Sequence, residues 1–258
     1  MAERHYTAPM GKFWQNDWSL TFLLGFLMVA VFVVRPLEAL GFDLHMIAAI
    51  AFTFILVTGI LHVLHSPIGA VVFGVIAIVT VIVHWSRFAA GGGADWIGVD
   101  AGASLVACSV LAAIVLVQVF AEGPITSQRI QGAVAAYLLT ALAFAAAYSW
   151  LEARVPDAFR GLAPFEGGHD PMQGFVYFSF VTLTTTGYGD VTPVAPFARS
   201  LAMLEAVLGQ LFPSILLARL VSMELYYRQR AFDREQATLD RRELAREVAK
   251  MLREIEEK

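Results

Sequence analysis

Thr184-Thr185-Thr186-Gly187-Tyr188-Gly189-Asp190 lies between two long apolar segments, and its glycines alternate with larger residues. Glycine reaches backbone angles closed to other residues, so this spacing lets a strand turn successive carbonyls toward one axis. A ring of such carbonyls replaces the water shell of an ion. Before the stretch runs Phe175-Val176-Tyr177-Phe178-Ser179-Phe180-Val181-Thr182-Leu183, apolar and aromatic but only about half the length needed to cross a hydrocarbon core of ~30 Å. It reads as a re-entrant half-helix. After the stretch, Val191-Thr192-Pro193 forms a rigid break and a full-length apolar segment begins near Arg199. Helix, half-helix, ion-ligating loop, exit turn and helix therefore follow in that order.

Thr185-Thr186-Gly187-Tyr188-Gly189 resembles the Thr-Val-Gly-Tyr-Gly signature of the potassium channel family. The resemblance is specific over roughly the last two-fifths of the chain. It implies a filter in which the carbonyls of Thr185, Thr186, Gly187 and Tyr188, with the Thr185 hydroxyl at the inner end, hold potassium ions. Gly189 completes the signature, and Thr184 leads into it. Thr186 stands where valine is commoner; because the ion meets the backbone and threonine is also β-branched, the filter conformation should be preserved. By the same resemblance, Asp190 accepts a hydrogen bond from Tyr177 and holds the strand taut, or else it is a solvated carboxylate that concentrates cations at the mouth. Some relatives carry a glutamate at the position of Val181, and a mechanism that depends on it does not transfer here.

The composition bounds the rest. The chain is 58% hydrophobic and 16% charged, with a mean hydropathy of +0.65, which excludes an ordinary soluble domain. The fold class expected is an all-α membrane protein with six transmembrane helices, a re-entrant pore helix with its filter, and a cytoplasmic C-terminal helix. Candidate spans run near Trp18–Val34, Leu44–Leu64, Ile68–Trp85, Val99–Phe120, Ile130–Leu151 and Leu201–Tyr226. Trp14, Trp18, Trp85, Trp96 and Trp150 fall at their edges, where an indole prefers to sit. The first run starts late and is followed by Arg35-Pro36, so it reads as a retained helix and not a signal peptide. Cys108 has no partner in its chain, which excludes a disulfide scaffold. A net charge of -4 without a basic patch gives no sign of nucleic-acid binding.

Ten of the 18 Lys and Arg residues lie from Arg219 onward, which argues for a cytoplasmic C-terminus. An even number of spans then places the N-terminus inside as well, giving a multi-pass protein of the cell (plasma or inner) membrane. Residues 1–17 are read as a cytoplasmic N-terminus, 18–129 as a four-helix sensor-like module, 130–226 as the pore module and 227–258 as a cytoplasmic helix. The motif occurs once per chain while a filter ring needs four copies, so a homotetramer follows if the chain conducts. No Lys or Arg occurs between Arg35 and Arg87 or from Phe88 through Gln128. The sensor-like module therefore lacks the arginines that usually move in the field. In the tail, Ala237, Leu244, Val248, Met251 and Ile255 recur at roughly heptad spacing, interrupted by Arg241. Either a tetrameric coiled coil or a solvated helix results.

Several residues stand out singly. Gly209 weakens the last span locally and Pro213 removes a backbone donor, making both candidate gating hinges. Glu205 is an acid inside a span, a costly placement that calls for a partner such as a hydroxyl or amide behind the filter, or for a neutral carboxyl. His62 with His65, and His169 with Asp170, fit interfacial packing better than metal binding or proton sensing. Gly91-Gly92-Gly93 reads as a flexible loop, since no Gly-Lys-Ser/Thr follows it. No cluster of titratable residues suggests catalysis, and no cofactor beyond potassium ions is called for. The functional expectation is a potassium-selective channel with little voltage dependence, in a lipid bilayer, open to regulation by an unidentified ligand or lipid. The alternative is a membrane sensor or scaffold with a closed or vestigial pore.

Overall fold

The computed structural model describes residues 18–34, 37, 45–63, 67–89, 94–121, 126–162 and 171–256. The expected N-terminal segment 1–17, the Gly91–Gly93 loop, His65, His169 and Asp170 lie outside them. The helices are α1 (Trp18–Val29, prolonged by a wider π turn at Ala30–Val34), α2 (His45–Val63), α3 (Pro67–Ala89), α4 (Ala94–Val119), α5 (Ser127–Glu152), α6 (Pro171–Leu183) and α7 (Pro196–Glu256). Two short strands, β1 (Phe159–Arg160) and β2 (Thr192–Pro193), pair antiparallel with Phe159 opposite Pro193.

Five helices are long and apolar enough to cross a membrane, with windows at Met46–Val63, Gly69–Arg87, Trp96–Val119, Ser127–Glu152 and Pro196–Arg246. Ser19–Val34 and Met172–Leu183 are shorter apolar helices. The chain is a multi-pass membrane protein. The first expected span is shorter than the others, and the half-length segment before the glycine signature is indeed a short helix.

Small residues make the tightest helix pair. In α5, Ala133, Ala135, Ala136, Ala141, Ala143, Ala145, Ala146 and Ala147 are all buried. Lipid tails are as apolar as leucine, so helices associate in a bilayer through close packing, which small side chains permit. The facing helix buries Ala101, Ser104, Cys108, Leu111, Val115 and Val119, a stripe at three- and four-residue spacing. The two helices run antiparallel: Gly132 near the start of α5 meets Val115 and Val119, while Gly102 meets Trp150 near its end. Thr126 caps α5, its side-chain Oγ1 accepting the Arg129 N–H at 3.4 Å.

An aromatic cluster then ties the end of α5 to α6. Tyr148 packs against Phe178 with ring centroids 5.0 Å apart and against Phe159 at 5.3 Å, and Phe159 meets Phe175 at 5.1 Å, all edge-on. Edge-to-face geometry is the favoured one for such rings. The π turn of α1 reaches the same helix, since Phe32 lies edge-on to Phe180 at 5.8 Å.

A polar cluster joins α3 to α4. Asp100, 6% exposed, accepts from Arg87 Nη1 at 2.9 Å and lies 3.0 Å from His84 Nδ1. Sequence reading did not single it out, because the three residues are spread over two helices.

The last helix runs unbroken from Pro196 to Glu256, through Pro213 and across the boundary drawn at residue 226. Residues beyond 226 are rich in Glu, Arg, Ala and Leu, strong helix formers that continue the apolar segment without a break. In the tail, Ala237, Leu244 and Met251 are exposed in the single chain.

Asp100→Ala should lower the stability of the α3–α4 pair by roughly 2 kcal/mol, because it removes the buried carboxylate that accepts a charged hydrogen bond from the partly exposed Arg87. Thermal unfolding in detergent, compared with an exposed control such as Asp240→Ala, measures this.

Candidate ion-binding site

The signature stretch hangs from the C-terminal end of α6. The N–H of Thr184 donates to Phe180 O at 3.0 Å, that of Thr185 to Thr182 O at 2.9 Å, and those of Thr186 and Gly187 to Val181 O at 2.9 and 3.2 Å. These bonds satisfy carbonyls that a helix end otherwise leaves without partners. Along the next residues the sign of φ alternates. Thr185 (58°), Gly187 (58°) and Gly189 (80°) are left-handed, whereas Thr186 and Tyr188 are not. In an ordinary strand successive carbonyls point to opposite sides; reversing the hand at every residue brings them to one side. Threonine in this region is unusual, and its strain has to be held by the surroundings.

Hydroxyls assist. Thr184 Oγ1 donates to Phe180 O at 2.7 Å and lies 2.9 Å from Thr186 Oγ1. A hydroxyl has one hydrogen, so Thr186 is the donor between the two. Its side chain is thereby directed toward the helix end. Beyond the stretch, Tyr177 donates to Asp190 Oδ2 at 2.7 Å, and Asp190 Oδ1 accepts the Val191 N–H at 2.9 Å. The two residues paired on the sequence are thus brought together. The Tyr177 hydrogen bond holds the Asp190 carboxyl below its ordinary range. The hydrogen bond to the ionised carboxylate is therefore fully present above the usual aspartate value of about 3.9 and is lost only as pH falls through the lower one.

Two close approaches fix the frame. A Cβ on Gly209 would lie 1.8 Å from Leu183 O, so α7 can touch the end of α6 only because residue 209 has no side chain. Tyr137 on α5 donates to the same carbonyl at 3.1 Å. The candidate hinge is therefore a packing contact as well. It is linked to Pro213, whose missing N–H would have bonded the Gly209 carbonyl four residues earlier. At the other end, Gly161 (φ 88°) comes so near Asp190 that a Cβ would lie 1.8 Å from its carbonyl oxygen.

Glu205 is fully buried. Tyr148 donates to its Oε2 at 2.5 Å, Ser179 Oγ lies against its Oε1, and Ser179 Oγ also lies 2.7 Å from Ala141 O. Hydroxyl partners were expected for this acid; which ones was not. Tyr148 and Ser179 are 57 and 26 residues away, and their only mark in the sequence is that each interrupts an apolar or alanine-rich run. Of the histidines, His62 is buried with Nδ1 3.2 Å from Ser19 Oγ. Among the described residues no group of three or more His, Cys, Asp or Glu could hold a metal ion.

Residues 136–225 match a family described as "Ion channel". The chain is 37% identical over 90 residues to two pore potassium channel c of Oryza sativa subsp. japonica, covering 35% of this chain and 18% of that one. It is 35% identical over 82 residues to protein LctB of Geobacillus stearothermophilus, covering 31% of this chain and 60% of the relative. Protein LctB of Bacillus caldotenax is 33% identical over 88 residues, covering 33% and 64%. The chain thus spans less than two thirds of the length of each of these relatives. No solved structure matches it significantly. The matched family and the rice relative are described as channels and not as enzymes, and the family match lies in the second half of the chain.

Two outcomes follow from the contacts. Tyr177→Phe should return the Asp190 titration toward the ordinary carboxylate range, read from the side-chain carboxyl carbon shift by NMR. Gly209→Ala should abolish or severely weaken the folded assembly, read by size exclusion in detergent, because the added methyl meets backbone and not a movable side chain.

Proposed function

We propose that the chain is a potassium-selective channel formed by four copies, with residues 184–190 lining the axis as its filter. The observation that carries this reading is the combination of alternating backbone hand with N–H groups already engaged on α6. It leaves the carbonyls of Thr185, Thr186, Gly187 and Tyr188 as ligands for a desolvated cation. In one chain the stretch is exposed, with Tyr188 71% and the nearby Phe197 78% accessible. Three further copies around an axis would cover those surfaces. The similarity to a relative named as a potassium channel supports the choice of ion.

In this reading α1 to α5 and α7 are the six spans, α6 is the re-entrant pore helix, both termini are cytoplasmic and Asp190 faces the outer mouth. Gly209 and Pro213 lie where a movement of α7 would be passed to the filter, and the exposed Leu244 and Met251 would line a bundle below it. Voltage has little to act on. The fourth helix, Ala94–Val119, carries no Lys or Arg, and each charge moved through the field supplies only ~2.3 kcal/mol per 100 mV.

Current through the purified protein in a planar bilayer, with potassium on one side and sodium on the other, tests this. The expected result is a reversal potential near that of potassium with open probability nearly flat in voltage. Equal passage of sodium, or steep voltage dependence, would contradict it.

A further inference from the structure

Glu205 sits where three helices meet, and its hydrogen count determines its state. Ser179 Oγ contacts two oxygens, Ala141 O and Glu205 Oε1, but a serine hydroxyl has one hydrogen. Ala141 O can only accept. If Glu205 were ionised it too could only accept, and one of the two contacts would set bare oxygens against each other inside a fully buried site. Placing a proton on Oε1 resolves the whole set. Glu205 then donates to Ser179, Ser179 donates to Ala141 O, and Tyr148 donates to Oε2. Every polar atom has a partner, as buried polar groups require.

The charges nearby agree. From α5 the groups on this side are Tyr148 and, further along, Tyr137, both neutral phenols; from α6 it is Ser179. Among the described residues no Lys, Arg or His forms an ion pair with Glu205. An ionised carboxylate without a counter-charge would carry a desolvation penalty of several kcal/mol.

We propose that Glu205 is a positioning residue that works as a neutral carboxylic acid, locking the inner helix α7 to the back of α6 and to α5. Its Oε1–H reaches the middle of α6, four residues before the end from which the signature hangs. A shift of α7 is therefore transmitted to α6 through hydrogen bonds at Ser179 and through backbone contact at Gly209. The proton state is independent of conduction, whereas the influence on the filter rests on the channel reading above.

The test uses the full-length protein in lipid. Infrared spectroscopy at neutral pH should show a protonated-carboxyl C=O band that is absent from Glu205→Gln. Ser179→Ala should retain the band and move it to higher frequency, since the acid loses its hydrogen-bond acceptor; this variant serves if Glu205→Gln does not fold. Rubidium flux into vesicles should be nearly unchanged in Glu205→Gln, whose amide donates and accepts as the acid does. In Glu205→Ala flux should fall about tenfold, the equivalent of one buried hydrogen bond. A wild-type spectrum without the band would overturn the proposal. Flux as low in Glu205→Gln as in Glu205→Ala would overturn the positioning role. A band present in a protein that passes no rubidium would leave the acid neutral and remove the channel reading instead.

Discussion

Non-helical backbone within a membrane protein must give every polar group a partner, and the rest of this structure depends on how residues 184–190 meet that demand. Their leading N–H groups turn back onto Phe180, Val181 and Thr182. Among the described residues no hydrogen bond uses the carbonyls of Thr185, Thr186, Gly187 or Tyr188. The N–H groups of residues 184–187 are consumed, while these four carbonyls are left as acceptors. A cation is the natural partner for such a set.

Holding this backbone requires a rigid frame. The left-handed Thr185 is a strained residue and needs its neighbours to over-determine it. At one end of the stretch Tyr137 and Gly209 converge on Leu183, at the other Tyr177 and Gly161 converge on Asp190, and beside α6 lies Glu205, bonded to Ser179. The aromatic cluster around Tyr148 and Phe159 fills the space between these anchors. The contacts reach α6 and the stretch after it from α5, from α7 and from the β1 segment, which is why a 13-residue helix can serve as a fixed support.

Much of this frame was legible in the sequence because the relevant signals are local. The glycine spacing at 187 and 189, the short apolar run before it and the Tyr177–Asp190 pair all lie within 20 residues of one another. Glu205 was visible as an acid in an apolar span. Its partners were not, since hydroxyls far along the chain leave no periodic trace. The Arg87–Asp100–His84 cluster was hidden for the same reason: it exists only once α3 and α4 are side by side. Gly209 could be read as a weak point in a helix, but its role as the contact with Leu183 depends on a helix crossing that no pattern encodes. Pro213 marks a candidate hinge, and α7 runs on as one helix through it, because flanking helix formers outweigh one lost hydrogen bond.

The central claim is that four copies bring these carbonyls around one axis and coordinate potassium with them. Anomalous diffraction from crystals of the assembled protein grown with thallium, a heavy substitute for potassium, tests it most directly. The account predicts a column of anomalous peaks on a fourfold axis, between successive rings of carbonyls from Thr185 to Tyr188. An assembly without that axis, or thallium bound only at surface carboxylates, would contradict it.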